Sequence, residues 1–416
     1  MTKKLKSLII NFSSYTIINL FNSLTPFIIL PLLTKNLSKS DIGIIDLFTT
    51  SSLFLTPVIG LCMIQSISKL YFTVSNKSKY LSTLATCLLI IGGITCIGTI
   101  LILYSTNLIH YPPDKKLLIL LIVIYVFETL IIEGYLILKR NEEQIKQFAW
   151  LRLSKAVLDI ILTFTLLYYY DNYNARIFSL ILSSSITVFI ILYHIIKAPY
   201  FKLLIDKALI QKILIYSSPL ILHTFFNNIL NYSDRYFINE FLGTSELGKY
   251  SVIYQMCMIM SLFINSFSMA WTPYFMKNMA INETTFMTTF FRTYKYYSLL
   301  LLIGAILMFF IMPLVYEFYI GKEYLVDKSI YFSLLLGYFF QGLYRFKINI
   351  LFFKECTFTI AKLSFISASV NLLLNFFLVD KWGLFGAAFA TLISYFILFL
   401  SLEFILLLMK KRSNHL

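Results

Sequence analysis

LSKSDIG at residues 37–43 returns as LGTSELG at 242–248, an offset of 205 in a chain of 416 residues. Each copy lies between two long apolar runs, so one half of the chain reads as a copy of the other. Both phrases carry the chemistry of a helix start. In the first, Ser38 is an N-cap with Asp41 three residues on, and Leu37 is placed to pack on Ile42. Gly243, Glu246, Leu242 and Leu247 fill the same places in the second. One such phrase is only a cap. Its recurrence in an apolar chain points to a transporter built from two related lobes around a path.

The composition sets the solvent. Hydrophobic residues make up 59% of the chain and charged ones 13%, and apolar runs of membrane-spanning length recur throughout. The runs fall at 8–33, 42–66, 81–105, 117–138, 149–170, 176–196, 213–240, 247–274, 295–318, 329–351, 358–378 and 384–409. The expected fold is therefore an all-α integral membrane protein of about twelve transmembrane helices. These form two pseudo-symmetric six-helix lobes, residues 1–205 and 206–416. The first run is long, contains Asn11, Asn19 and Asn22 and lacks a small-residue cleavage pattern, so it reads as a helix and not a cleaved signal. The five cysteines have no metal-ligand spacing and read as small buried residues. The sequence asks for no cofactor.

A net charge of +15 suggests nucleic acid until its placement is read. With the termini and every even-to-odd connection assigned to one side, 25 of the 35 Lys and Arg residues gather there. This is the positive-inside bias, which places both termini in the cytoplasm and removes the case for nucleic acid. The Lys-rich stretch 197–212 falls between the copies as a cytoplasmic linker.

Polar residues inside the spans carry the functional signal. In the seventh span Tyr216, His223, Asn227, Asn231 and Asp234 share one helical face, with Arg235 beside it. The first span answers with Asn11, Ser14, Tyr15, Asn22 and Thr25, and Asn22 is the offset counterpart of Asn227. Paired polar stripes suit a wet cavity, although Asn also serves as interhelical hydrogen-bond glue. Glu128 lies about 18 Å into the fourth span, near the bilayer middle, where a carboxylate is expensive. Glu128, His223 and Asp234 are thus candidates for ion coupling. On the fifth span Arg152, Lys155, Asp159 and Thr163 share a face, and with Arg345 and Lys347 they offer a cationic mouth for an anion such as pyrophosphate. Snorkelling to headgroups accounts for the same cations equally well.

Four stretches together resemble a known family: PFIILPLLTKNLSKSDIGIIDLF (26–48), YSDRYFINEFLGTSELGKYSVIYQM (232–256), SMAWTPYF (268–275) and NLLLNFFLVDKWGLFGAAFATLISY (371–395). They are similar to the Wzx-type polysaccharide repeat-unit flippases of the multidrug/oligosaccharidyl-lipid/polysaccharide exporter superfamily. The resemblance implies a V-shaped, two-lobed transporter of an undecaprenyl-pyrophosphate-linked oligosaccharide, for O-antigen or another surface glycan, with alternating access and partial dependence on ion gradients. It also makes the polysaccharide polymerase and chain-length regulator candidate partners beside the membrane lipids. Asp234, Arg235, Trp271 and Pro273 match family positions. The first copy departs, with Ile29 and Leu30 opposite Asp234 and Arg235.

The physical reading agrees, since a diphosphate and a sugar cannot cross hydrocarbon without partners for their polar groups. No covalent chemistry is required, so the protein is expected not to be an enzyme. Three alternatives share parts of this pattern. A multidrug antiporter would concentrate carboxylates in a cation site, and a lipid II flippase more often carries two further helices. A membrane polysaccharide polymerase would need a large outward loop, and none is present in the sequence.

Overall fold

A computed structural model describes residues 3–105, 115–197 and 202–413. Its long helices are α1 (Lys3–Asn36), α2 (Lys39–Ile59), α4 (Lys77–Ser105), α5 (Lys115–Asn141), α6 (Ile145–Tyr169), α7 (Tyr173–Lys197), α8 (Lys207–Tyr232), α10 (Thr244–Cys257), α11 (Ile259–Ile281), α12 (Glu283–Val315), α13 (Lys328–Lys347) and α15 (Thr357–Ser413). Shorter pieces complete some of them: α3 (Ile67–Thr73), α9 (Asp234–Leu242) and α14 (Asn349–Phe353). Among the described residues nine helices are long and apolar enough to cross a membrane. The charged α6 and α13 fall outside that set, and α15 alone is long enough for two crossings. Gly383 divides it, with φ 59° and ψ −140°, a left-handed conformation that a residue without Cβ adopts at little strain. The chain is thus an all-helical, multi-pass membrane protein of about twelve spans.

Breaks inside the apolar runs refine the expected spans. The second run is not one helix to residue 66. It stops at Ile59, Leu61 and Cys62 take positive φ, and a short 3-10 turn leads into α3. Gly60 is packed so closely there that a Cβ would meet the Leu130 side chain at 2.5 Å. The seventh run breaks at Ser233, whose hydroxyl donates to Asn371 Oδ1 at 2.9 Å. Large side chains such as Phe164, Phe189, Phe310 and Phe318 remain exposed, as surface meant for lipid does.

The chain forms two compact units. Unit 1 comprises 1–32 and 44–225, and unit 2 comprises 33–43 and 226–416. In unit 1, α5, α6 and α7 pack together around Ile132, Tyr135, Leu136, Phe148, Leu151 and Ile191. In unit 2, α13 lies along α15, and α9 packs on the same helix.

These limits differ from a division at residue 205 in two places: 206–225 group with unit 1, and 33–43 with unit 2. The second follows from the repeated phrases, which pack on each other. A Cβ on Gly43 would lie 2.0 Å from the Thr244 carbonyl oxygen, and one on Gly248 would lie 1.8 Å from that of Lys39. Residues 39 and 244, like 43 and 248, are equivalent under the offset of 205. The contact is therefore self-complementary, as at a two-fold axis, and glycine is what permits the backbones to approach. The Ser40 and Thr244 hydroxyls are hydrogen-bonded at 2.6 Å, and Tyr324 donates to the Leu37 carbonyl at 3.2 Å. Ser38 forms the expected capping box: its Oγ accepts from the Asp41 N–H at 3.1 Å, and its own N–H reaches Asp41 Oδ2 at 3.2 Å.

Candidate functional site

Unit 2 contains a buried polar network that begins at the break after α8. Asp234 and Arg235 are 2% and 4% exposed, so neither charge is solvated and each must be met by protein. Asp234 Oδ1 accepts from the Arg235 backbone N–H at 3.0 Å and from its Nη1 at 2.8 Å. Tyr250 donates to Oδ2 at 2.7 Å. The guanidinium also reaches the Asn231 carbonyl at 3.1 Å and lies over the Tyr254 ring, 4.2 Å from its centroid. Asn231 extends the chain of bonds: its Oδ1 accepts from Tyr395, which in turn accepts from Gln341 Nε2 at 2.7 Å. Below it, Asn375 donates to Asn371 Oδ1 at 3.0 Å, and Asn371 Nδ2 and Asn375 Oδ1 are buried without a partner among the described residues.

Unit 1 holds a second, more open run of charge on α5, α6 and α7. Glu128 accepts a hydrogen bond from the Ser185 hydroxyl, and its Oε2 is buried without a partner among the described residues. Lys155 is the cation that acts on it through space. One turn toward the α5–α6 connection, Arg152 Nη1 pairs with Glu133. Carboxylates on α5 thus face cations on α6.

The remaining candidates scatter. Arg345 donates to Asn265 Oδ1, and Lys347 is paired with Glu403 at 2.6 Å and lies over the Tyr294 ring at 4.2 Å. His223 and Asn227 are exposed, and Asn22 is half-buried without a hydrogen-bond partner among the described residues. The seventh-span stripe is therefore half-buried at Tyr216 and Asn231, exposed at His223 and Asn227, and buried only at Asp234. The face shared by Arg152, Lys155, Asp159 and Thr163 also divides. Its second half is taken by Arg176, which grips Asp159 with both nitrogens at 2.7 and 3.1 Å and Thr163 at 2.7 Å. That bidentate pair clamps α6 to α7 and has no cation left to offer.

Sequence reasoning missed Tyr250, Tyr254, Tyr395, Gln341, Asn371 and Asn375. The asparagines had a readable signal, since NLLLN puts two amides four residues apart on one face of an apolar helix. The tyrosines had none, because they are 3 among 29.

Two compact units of apolar helices with charge networks among them define a multi-pass helical membrane protein, and comparison with known proteins shows where this fold occurs. The solved lipid II flippase MurJ, in an inward closed conformation, matches with a TM-score of 0.70 at 18% identity, covering 96% of this chain and 86% of that one. An inward-facing multidrug resistance MATE family transporter of the MOP superfamily matches with a TM-score of 0.74 at 13% identity, covering 96% of both chains. The model of the polysaccharide biosynthesis protein family matches residues 8–279. The chain belongs to that family, and its fold is similar to that of these two membrane proteins. Among curated proteins, the Lsg locus putative protein 1 of Haemophilus influenzae is 24% identical over 348 residues, 82% of this chain and 83% of the relative.

Proposed function

We propose that the protein translocates an undecaprenyl-pyrophosphate-linked oligosaccharide repeat unit from the cytoplasmic to the outer leaflet of the bacterial inner membrane, by alternating access of two six-helix lobes. The observation that carries this reading is the family match over 8–279 on a flippase-type fold. The charge networks support it. Ionised groups inside apolar helices are costly and by default mark sites that bind, relay or gate, and a glycosylated diphosphate needs such groups in place of its water.

The cations divide the work by what already holds them. Arg345 is held by a neutral amide and is ready for a phosphate, whereas Arg152 and Lys347 must first leave Glu133 and Glu403. Glu128 is the stronger candidate for ion coupling, because its free oxygen can take a proton while Ser185 stays bound. Asp234 is saturated by three donors, and protonating it would strand Arg235. Asn22, Asn227 and Asn231 serve as hydrogen-bond partners for the sugar, and His223 is the weaker coupling candidate.

The test is deletion of the gene followed by analysis of undecaprenyl-linked glycans. Accumulation of the lipid-linked repeat unit, reversed by the intact gene, is the expected result. Unchanged surface glycan would reject the reading, and efflux of cationic drugs in its place would move the protein to the antiporter class. Reporter fusions after Lys207 and at the C-terminus should both read as cytoplasmic.

A further inference from the structure

The end of unit 1 that carries the α5–α6 turn has two adjoining recesses outside both charge networks. The first is an apolar groove of about 380 Å³ between α4, α5 and α7, with Leu88, Leu130, Leu138 and Ile195 along it. It is open to the surrounding bilayer, since Leu89, Leu192, Ile196 and Leu203 on its lining are exposed. The second, of about 430 Å³, is lined by Tyr135, Lys146, Gln147, Trp150, Leu151 and His194. Tyr135 lines both, so the apolar groove and the polar recess share a wall.

The recess has a definite chemistry. It contains a lysine, a histidine and an amide and no carboxylate, while Glu142 of the adjoining turn is held by Lys139 at 2.9 Å. His194 Nδ1 donates to the Ile190 carbonyl at 2.8 Å, which fixes the ring. Trp150, 54% exposed, gives the kind of amphipathic edge found at the level of lipid headgroups. A cation and hydrogen-bond donors beside a lipid-facing apolar groove complement one class of ligand, an amphiphile with an anionic head.

We propose that the paired recesses bind an anionic phospholipid of the adjacent leaflet, with the phosphate at Lys146, Gln147 and His194 and one acyl chain in the groove. A soluble anion would have no use for the groove, and an uncharged lipid none for Lys146. Leu203 on the rim belongs to the segment between α7 and α8, which is tied to α4 by the Lys202 N–H to Ser82 Oγ and the Leu204 N–H to Thr86 Oγ1, both at 3.2 Å. The bound chain therefore also packs against the segment that joins the two sequence repeats. This inference is independent of the transported substrate.

The test uses the full-length protein in nanodiscs of phosphatidylcholine containing phosphatidylglycerol, with retained lipid read by native mass spectrometry. Phosphatidylglycerol should be retained in preference to phosphatidylcholine, and Lys146→Gln should reduce that preference by about five-fold. Lys146 is exposed, so the variant keeps its fold. Ala85→Trp, which fills the groove, should lower retention of both lipids. Equal retention of the two lipids, or a preference unchanged by Lys146→Gln, would overturn the proposal. Displacement of phosphatidylglycerol by undecaprenyl diphosphate would overturn it too, by assigning the recesses to a lipid-linked diphosphate.

Discussion

Asp234 and Glu128 are both carboxylates within apolar helices, and their partners give them different roles. Asp234→Asn leaves the Arg235 guanidinium buried without its counter-ion, which is expected to destabilise unit 2 by about 3–5 kcal/mol. The variant should melt earlier in detergent and yield less protein, whereas Glu128→Gln should express normally because Ser185 can donate to an amide oxygen. If Glu128→Gln restored surface glycan to a deletion strain as well as the wild type does, Glu128 would have no part in coupling. The crossing glycines give a second contrast. Gly248→Ala sets a methyl against the Lys39 carbonyl at 1.8 Å, and overpacking against backbone is expected to remove at least about 3 kcal/mol. Gly93→Ala, which meets nothing within 4 Å in a helix, should be neutral or raise the melting temperature. Residues of this kind were partly legible. Asp234 and Glu128 stand out in any apolar run, but nothing local distinguishes Arg152, which finds Glu133 across α5 and α6, from a cation that snorkels.

Helices of this chain were legible because the bilayer demands about 20 apolar residues for each crossing, and the capping box at Ser38 marked one start to the residue. What escaped were the breaks within spans. Leu61, Cys62 and Ser233 are ordinary residues whose conformations are set by tertiary contacts such as that of Ser233 with Asn371. The segment before α8 shows how weak local forces place an element. Lys79 above all, and then the Leu209 N–H, hold the Asp206 carboxyl below its ordinary value of 3.8. A lowered value in the folded state means that the pair stabilises the docked segment above pH 3.8, and that this is lost as pH falls through the lowered value. Hydrogen exchange at the Lys202 and Leu204 amides should therefore be insensitive to this group between pH 7 and 5. Asp206→Asn should speed exchange by no more than about five-fold, since exposed ion pairs contribute little. A much larger effect would show that the ion pair, and not the Ser82 and Thr86 hydroxyls, holds the segment.

At the scale of the whole molecule, the proposed function sets the basic residues two demands, topology and substrate, and only the second depends on what each cation touches. Arg152, Arg345 and Lys347 each have a partner that a diphosphate would have to replace, namely Glu133, Asn265 and Glu403, whereas Lys155 acts on Glu128 through space. Exchange is easiest where the partner is neutral, as for Arg345. It is harder for Arg152, although Glu133 is 41% exposed and would be hydrated on release, and hardest for Lys347, itself 11% exposed beside Glu403. Neutral replacements should therefore impair export in the order Arg345→Gln, Arg152→Gln, Lys347→Gln. Lysine at position 345 should rescue only partly, because an ammonium cannot form the paired contact of a guanidinium fork. A charge-assisted hydrogen bond is worth enough for a single loss to slow flipping about ten-fold or more. The measurement is the rate at which the lipid-linked glycan reaches the outer leaflet of reconstituted vesicles. All four neutral replacements together, at the wild-type rate, would mean that these cations only anchor helix ends to the membrane surface.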